Sequence, residues 1–187
     1  MSARSSPRDR LIDTAADLFY ERGLPNVGIN EVTERAGVAR MTLYNNFDSK
    51  EALALAAFER QAEARRALIE KRLERARTAF DAVKAMFDVS EQFATQSRFR
   101  GCPFINVAVQ DPQLNGRMHA LVRAHKDWIR VRFRDIAARA GHRKPDTAAQ
   151  QLLALLDGAS VEAFIQGSVE PIRASKQAAE ILLRASR

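Results

Sequence analysis

Residues 30–50 read NEVTERAGVARMTLYNNFDSK. Two short helical stretches, about 29–36 and 40–46, flank Ala36-Gly37-Val38. Gly37 offers the positive φ that a three-residue turn between two helices needs. Val32, Val38 and Leu43 then fall where these helices bury apolar contacts against each other and against a preceding helix. That leaves Arg40, Met41, Thr42, Tyr44, Asn45 and Asn46 on the exposed face of the second stretch. In a major groove Arg matches guanine with two hydrogen bonds, Asn matches adenine, and Thr or Met touches a thymine methyl. Tyr44 and Lys50 have the reach for phosphates, which set register without specifying sequence. The pattern fits a DNA-reading helix-turn-helix; a helical hairpin with a polar outer face is the plainer alternative.

Outward from this segment the 3.6-residue period continues in both directions, with no strand alternation, hairpin dipeptide or long repeat. A first helix starts at Ser6-Pro7, where Ser6 caps free amides and Pro7 suits the first helical position. It buries Leu11, Ile12, Ala15, Leu18 and Phe19 and ends at Gly23. Asp48 or Ser49 caps a long fourth helix through the 50s and 60s. A fifth covers about 78–97, and Arg100-Gly101-Cys102-Pro103 precedes a short apolar segment, 104–109. Asp111-Pro112 breaks the chain again, Pro112 and Gly116 letting it bend. An arginine-rich helix follows to Gly141, and 147–166 and 171–185 form the last two. The expected fold is all-α with about nine helices: a DNA-binding domain over 1–50, which includes the start of the fourth helix, and a larger helical domain over 51–187. Nothing reads as a flexible linker, so the two are expected to pack together.

Composition narrows the functional classes. The 187 residues are 46% hydrophobic and 28% charged, an ordinary globular balance. No apolar run approaches the ~20 residues of a membrane span, and no apolar stretch follows the charged N-terminus as a signal peptide requires. A single cysteine, Cys102, forms neither an internal disulfide nor a Cys-based zinc site. A reducing cytoplasm is the expected setting. The net charge of +7 favours a polyanionic partner. Yet the first fifty residues balance seven basic side chains against seven acidic ones, and the surplus sits mainly between Arg117 and Lys144. There Arg123, Lys126, Arg130 and Arg134 recur at helical spacing opposite Leu121, Val122, Trp128, Ile129 and Ile136, which reads as a solvated helix face rather than a nucleic-acid patch.

Residues 11–55 resemble the N-terminal region of the TetR family of bacterial transcriptional regulators. The resemblance rests on Ala15-Ala16-Asp17-Leu18-Phe19, Gly23, Ala36-Gly37-Val38, Thr42-Leu43-Tyr44, Phe47, Ser49-Lys50-Glu51 and Leu53. It implies that the third helix enters the major groove, that Tyr44 and Lys50 hold phosphates, and that Arg40, Thr42 and Asn46 face bases or backbone. Asn30 is a further DNA candidate. Gly28, Thr33 and Ala39 depart from the pattern, and the missing Ser cap at Ala39 costs the third helix about 1 kcal/mol. The rest of the chain resembles the family in plan only. That plan is a regulatory domain that binds a small-molecule inducer and dimerises through the last two helices, here about 147–185. A monomeric core built from the same apolar residues is the alternative. Met86, Phe87, Phe104, Asn106, His125, Trp128 and Phe164 are candidates for lining the inducer pocket, with core packing the alternative for each.

Catalysis lacks a constellation. There is no Gly-rich phosphate loop and no His-Glu-x-x-His or Gly-x-Ser-x-Gly. His119 and His125, six residues apart, lie on different helix faces, and with His142 they make no metal site. No catalytic residue, metal or cofactor is assigned. The sequence therefore reads as a dimeric, inducer-released regulator, expected to be a repressor at a palindromic operator. The alternatives are constitutive DNA binding and redox sensing through Cys102 without an inducer.

Overall fold

A computed structural model describes residues 5–110 and 116–184; the break at Asp111-Pro112, the bend assigned to Pro112 and the last residue of the final helix, Ala185, lie outside them. The described residues form nine α-helices and one 3-10 turn, with no strand among them. α1 (Pro7–Arg22) begins with Ser6 accepting from the Asp9 N–H at 3.1 Å, and its expected apolar stripe is buried. Gly23, at φ +84, ends it by donating to the Phe19 carbonyl at 3.0 Å. The 3-10 turn Leu24–Asn26 leads into α2 (Ile29–Ala36). Gly37 then stands in the left-handed region, φ 63 and ψ 42. Its N–H reaches the Glu34 carbonyl and the Val38 N–H reaches Thr33, both at 3.1 Å, which closes the end of α2.

α3 (Arg40–Tyr44) is shorter than the expected 40–46 stretch. Asn45 continues the α pattern by donating to Met41 at 3.0 Å, but Asn46 turns to Leu43 at 2.9 Å, a tighter bond typical of a closing turn. Ala39 caps α3 with no side-chain bond, whereas Ser49 caps α4 (Lys50–Leu73) by accepting from the Ala52 N–H at 3.1 Å. The remaining helices are α5 (Ala79–Ala94), α6 (Pro103–Gln110), α7 (Arg117–Arg139), α8 (Pro145–Gln166) and α9 (Glu170–Arg184).

Compactness divides the chain beyond the helix-turn-helix. One unit joins the described residues of Met1–Ala64 to those of Pro103–Val122, so it takes in the first half of α4 and all of α6. Its core gathers Leu11, Leu18, Val32, Leu43 and Leu53, all fully buried, with Val38 half-buried at the margin. Phe58 of α4 meets Phe104 of α6 edge-on with ring centres 6.2 Å apart.

The second unit joins Arg65–Cys102 to the described part of Arg123–Arg187. α5 starts on a reciprocal cap between Thr78 and Asp81. Val83, Met86 and Phe87 of α5 share a core with Phe133 of α7, Leu152 of α8 and Leu183 of α9. Arg173 and Lys176 of α9 fasten to α5 through Glu91 and Asp88 at 2.7–3.0 Å. The arginine-rich helix is a face of internal pairs: Arg130 with Asp127, Arg134 with Asp135 and Arg132 with Glu70. Lys126 is an exception to the solvated-face reading, since it is largely buried against Asp157.

A Cβ at Gly37 would meet nothing within 4 Å, so only the backbone resists substitution there. Gly37→Ala is expected to lose about 1–2 kcal/mol of stability, the cost of placing an L side chain in left-handed backbone. Urea unfolding with an unchanged slope and a lowered midpoint measures it; an unmoved midpoint would contradict the turn geometry.

Candidate nucleic-acid interface

α3 is held by one side chain and presents the others. Leu43 is fully buried, and Phe47, just beyond the helix, is nearly so. Between and around these anchors Arg40, Met41, Tyr44, Asn45 and Asn46 are exposed, Met41 to 68%, while Thr42 is half-buried. The Arg40 guanidinium lies 5.6 Å from the Tyr44 ring centre, and its Nη2 reaches the Tyr44 hydroxyl at 3.4 Å. A cation is thereby presented on an aromatic plate rather than on a free chain. Asn46 donates its side-chain amide to the Thr42 carbonyl at 2.7 Å, so it finishes α3 as well as standing exposed.

Lys50 is half-buried at the start of α4, and burial pushes its ammonium below the ordinary lysine value. A cation that has lost water gains from an anionic partner such as a phosphate. Asn30 is exposed in the first turn of α2, its carbonyl taken by the Thr33 hydroxyl at 2.8 Å. That bond satisfies the buried threonine standing where the family pattern has alanine.

One stabilising group escaped the sequence reading. Arg60 of α4 bridges Asp9 and Asp13 of α1, with Nη1 to Asp13 Oδ1 at 2.8 Å. The Ser6 hydroxyl and then Arg60 hold the Asp9 carboxyl below its usual range. Arg10 adds a bond from Nε to the Ala36 carbonyl at 3.3 Å, beside the Gly37 turn. α1 is thus tied both to α4 and to the turn that aims α3.

The inducer-pocket candidates separate. Met86 and Phe87 are core residues of the second unit, and Phe104 packs against Phe58 in the first. Asn106 lines a space of about 10 Å³ with Tyr20 and Gln110, too small for more than one water. Trp128 is half-buried, and Phe164 stands 46% exposed on α8. His125 is 1% exposed; burial first, then the charges of Arg65, Lys126 and Arg66, push its pKa down to about 3. Cys102 is buried, with Lys126 Nζ 3.7 Å from its sulfur, which leaves little of the access a redox-sensing thiol needs. Among the described residues no three His, Cys, Asp or Glu side chains gather as metal ligands, and no helix is long and apolar enough to cross a membrane.

The family model of bacterial regulatory proteins, tetR family, matches residues 11–57, the segment that carries α1 to the start of α4. A crystal structure of a TetR-family transcriptional regulator from Streptomyces coelicolor superposes with a TM-score of 0.91 at 28% identity, covering 96% of this chain and 95% of that one. Residues 11–57 thus carry the N-terminal domain of the tetR family, and the fold is that of a TetR-family regulator. The transcriptional activator FasR of Mycolicibacterium smegmatis is 32% identical over 133 residues, 67% of this chain and 58% of its own length. An uncharacterised HTH-type regulator of Mycobacterium tuberculosis is 45% identical over 53 residues, which span 26% of that protein. The chain therefore matches about a quarter to somewhat over half the length of these curated relatives. These relatives are named as regulators of transcription, not as enzymes.

His125 gives the chain a pH signature. As pH falls below 6.5 the unfolded chain takes up a proton that the folded chain refuses until about pH 3. Stability is therefore retained above 6.5 and declines on acidification, by at most about 1.4 kcal/mol per pH unit. Urea midpoints measured between pH 7 and about pH 5 are expected to fall for the native chain and to fall less steeply for His125→Gln. Equal slopes would contradict a buried, neutral His125.

Proposed function

We propose that this protein is a homodimeric, ligand-responsive transcriptional regulator, acting as a repressor at a two-fold-symmetric operator. The observation that carries the reading is α3: a five-residue helix whose one buried side chain is Leu43, with Arg40, Met41, Tyr44 and Asn45 all turned to solvent. In this role Arg40 reads a base edge, Thr42 and Asn46 lie along the groove, Tyr44 and Lys50 hold phosphates, and Asn30 touches the backbone from α2.

An unpartnered apolar surface on α8 and α9 supports the dimer. Val161, Phe164 and Ile165 of α8 and Ile181 of α9 are exposed large hydrophobics. They accompany a solvent-open groove of about 690 Å³ lined by Leu155, Gly158, Ala159, Pro171 and Leu182. Apolar patches of this kind mark interaction sites, and a second copy of the same two helices offers the same surface with two-fold symmetry. Small residues at 158 and 159 let the helices approach closely.

Release by a ligand requires only that the ligand favour the conformation that does not bind DNA; equal affinity for both would shift nothing. α4 starts at Lys50 in the DNA-reading unit and ends at Leu73 in the other, so a shift of its C-terminal half is carried along one continuous helix. Arg60 hands that movement to α1 through Asp9 and Asp13.

Substitutions in α3 separate reading from holding. Arg40→Ala is expected to relax preference at one base position, losing about 1–3 kcal/mol there, while Tyr44→Phe weakens every sequence alike. Competition among single-base variants of a bound duplex measures both. If Arg40→Ala leaves the base preference intact, Arg40 does not read the operator.

A further inference from the structure

The second unit holds a cationic cluster that DNA reading leaves unused, formed by Arg65 and Arg66 of α4 and Lys126 and Arg132 of α7. Two of these charges are already neutralised. Lys126 pairs with Asp157 at 2.5 Å, and Arg132 pairs with Glu70 while lying 4.9 Å from the centre of the Trp128 ring. Arg65 sits 4.0 Å over Phe93 of α5. Arg66 differs. Its guanidinium lies 5.6 Å from the Trp128 ring centre, its Nε is buried without an acceptor, and among the described residues no carboxylate pairs with it. Beside the cluster His125 is kept neutral, so it adds no charge of its own. A buried N–H on a cation without an acceptor is costly, and proteins seldom leave one in that state.

We propose that Arg66, beside the Trp128 indole, is the recognition point for a small organic monoanion, a carboxylate on an apolar body, and that this anion is the inducer. Lys126 and Arg132 each already hold a carboxylate and Arg65 lies over Phe93, so the one buried N–H of the cluster without an acceptor, Arg66 Nε, calls for a single carboxylate. A carboxylate oxygen accepts the Nε–H and a neighbouring guanidinium N–H in the fork geometry that Arg offers. The apolar body is matched by the Trp128 indole beside Arg66. The regulatory half of the proposal rests on the inducible-regulator reading above; the anion site itself does not.

Trp128 is the protein's only tryptophan, so its emission reports on the site without a label. Titrating the 187-residue chain with benzoate or phenylacetate is expected to give a saturable change that benzamide does not. In Arg66→Gln the carboxylate affinity is expected to fall at least tenfold, with the melting temperature checked to show that the variant is folded. Arg66→Lys, which keeps the charge without the fork, is expected to fall between the two. An equal response to benzamide, an unchanged benzoate affinity in Arg66→Gln, or no response to either carboxylate up to millimolar concentration would overturn the site. A parallel measurement on the DNA-bound protein separates the two claims. Benzoate that binds without loosening the duplex supports the anion site and removes its inducer role. Release by a neutral apolar compound, with no carboxylate binding, leaves the regulator reading standing and overturns the anion site.

Discussion

The left-handed backbone of Gly37 is the constraint on which the reading helix depends. Three residues must turn the chain while Val32 on one side and Leu43 on the other stay fully buried. Only glycine enters that conformation without a steric penalty. α3 has five residues, far below the length at which a helix holds itself together in water. Its orientation is therefore borrowed from the buried Leu43, from Phe47 and from the backbone bonds that close the turn. Exposure of Arg40, Met41, Tyr44 and Asn45 follows from that anchoring and needs no further device.

Several of the chain's charged side chains tie one helix to another. Arg60 ties α4 to α1, Arg173 and Lys176 tie α9 to α5, and Lys126 and Arg132 on α7 each reach across to another helix. Many of these pairs are half-exposed, and individually such pairs contribute little. Their effect lies in fixing which helix faces which. A basic isoelectric point therefore says little about DNA here, since the proposed reading surface lies in a segment of zero net charge. Arg66 stands apart as a cation that meets the Trp128 ring and, among the described residues, no carboxylate.

Local features of this fold were legible in the sequence. Ser6-Pro7, Gly23, Ala36-Gly37-Val38 and Ser49 each act on their own turn of helix through one side chain or one φ angle, so their spacing is enough. The same holds for the exposed face of α3, which follows from burying Leu43. Distant pairings were not legible. Arg60 meets carboxylates 47 and 51 residues earlier, and nothing in periodicity marks those partners. Periodicity assigns a residue to a face but not what that face meets. Lys126 thus read as solvated yet is buried against Asp157, and Phe164 read as a pocket wall yet is exposed on α8. α6 read as part of the regulatory half, yet it packs with α4 in the DNA-reading unit through Phe104 and Phe58.

The most direct test of the central claim is to select tight-binding duplexes from a random library with the native protein. Enriched sequences are expected to contain inverted half-sites whose centres lie about 34–36 Å apart, one turn of B-DNA, as two copies of α3 in successive major grooves require. A pool that enriches no sequence, or only a single unpaired half-site, would contradict it.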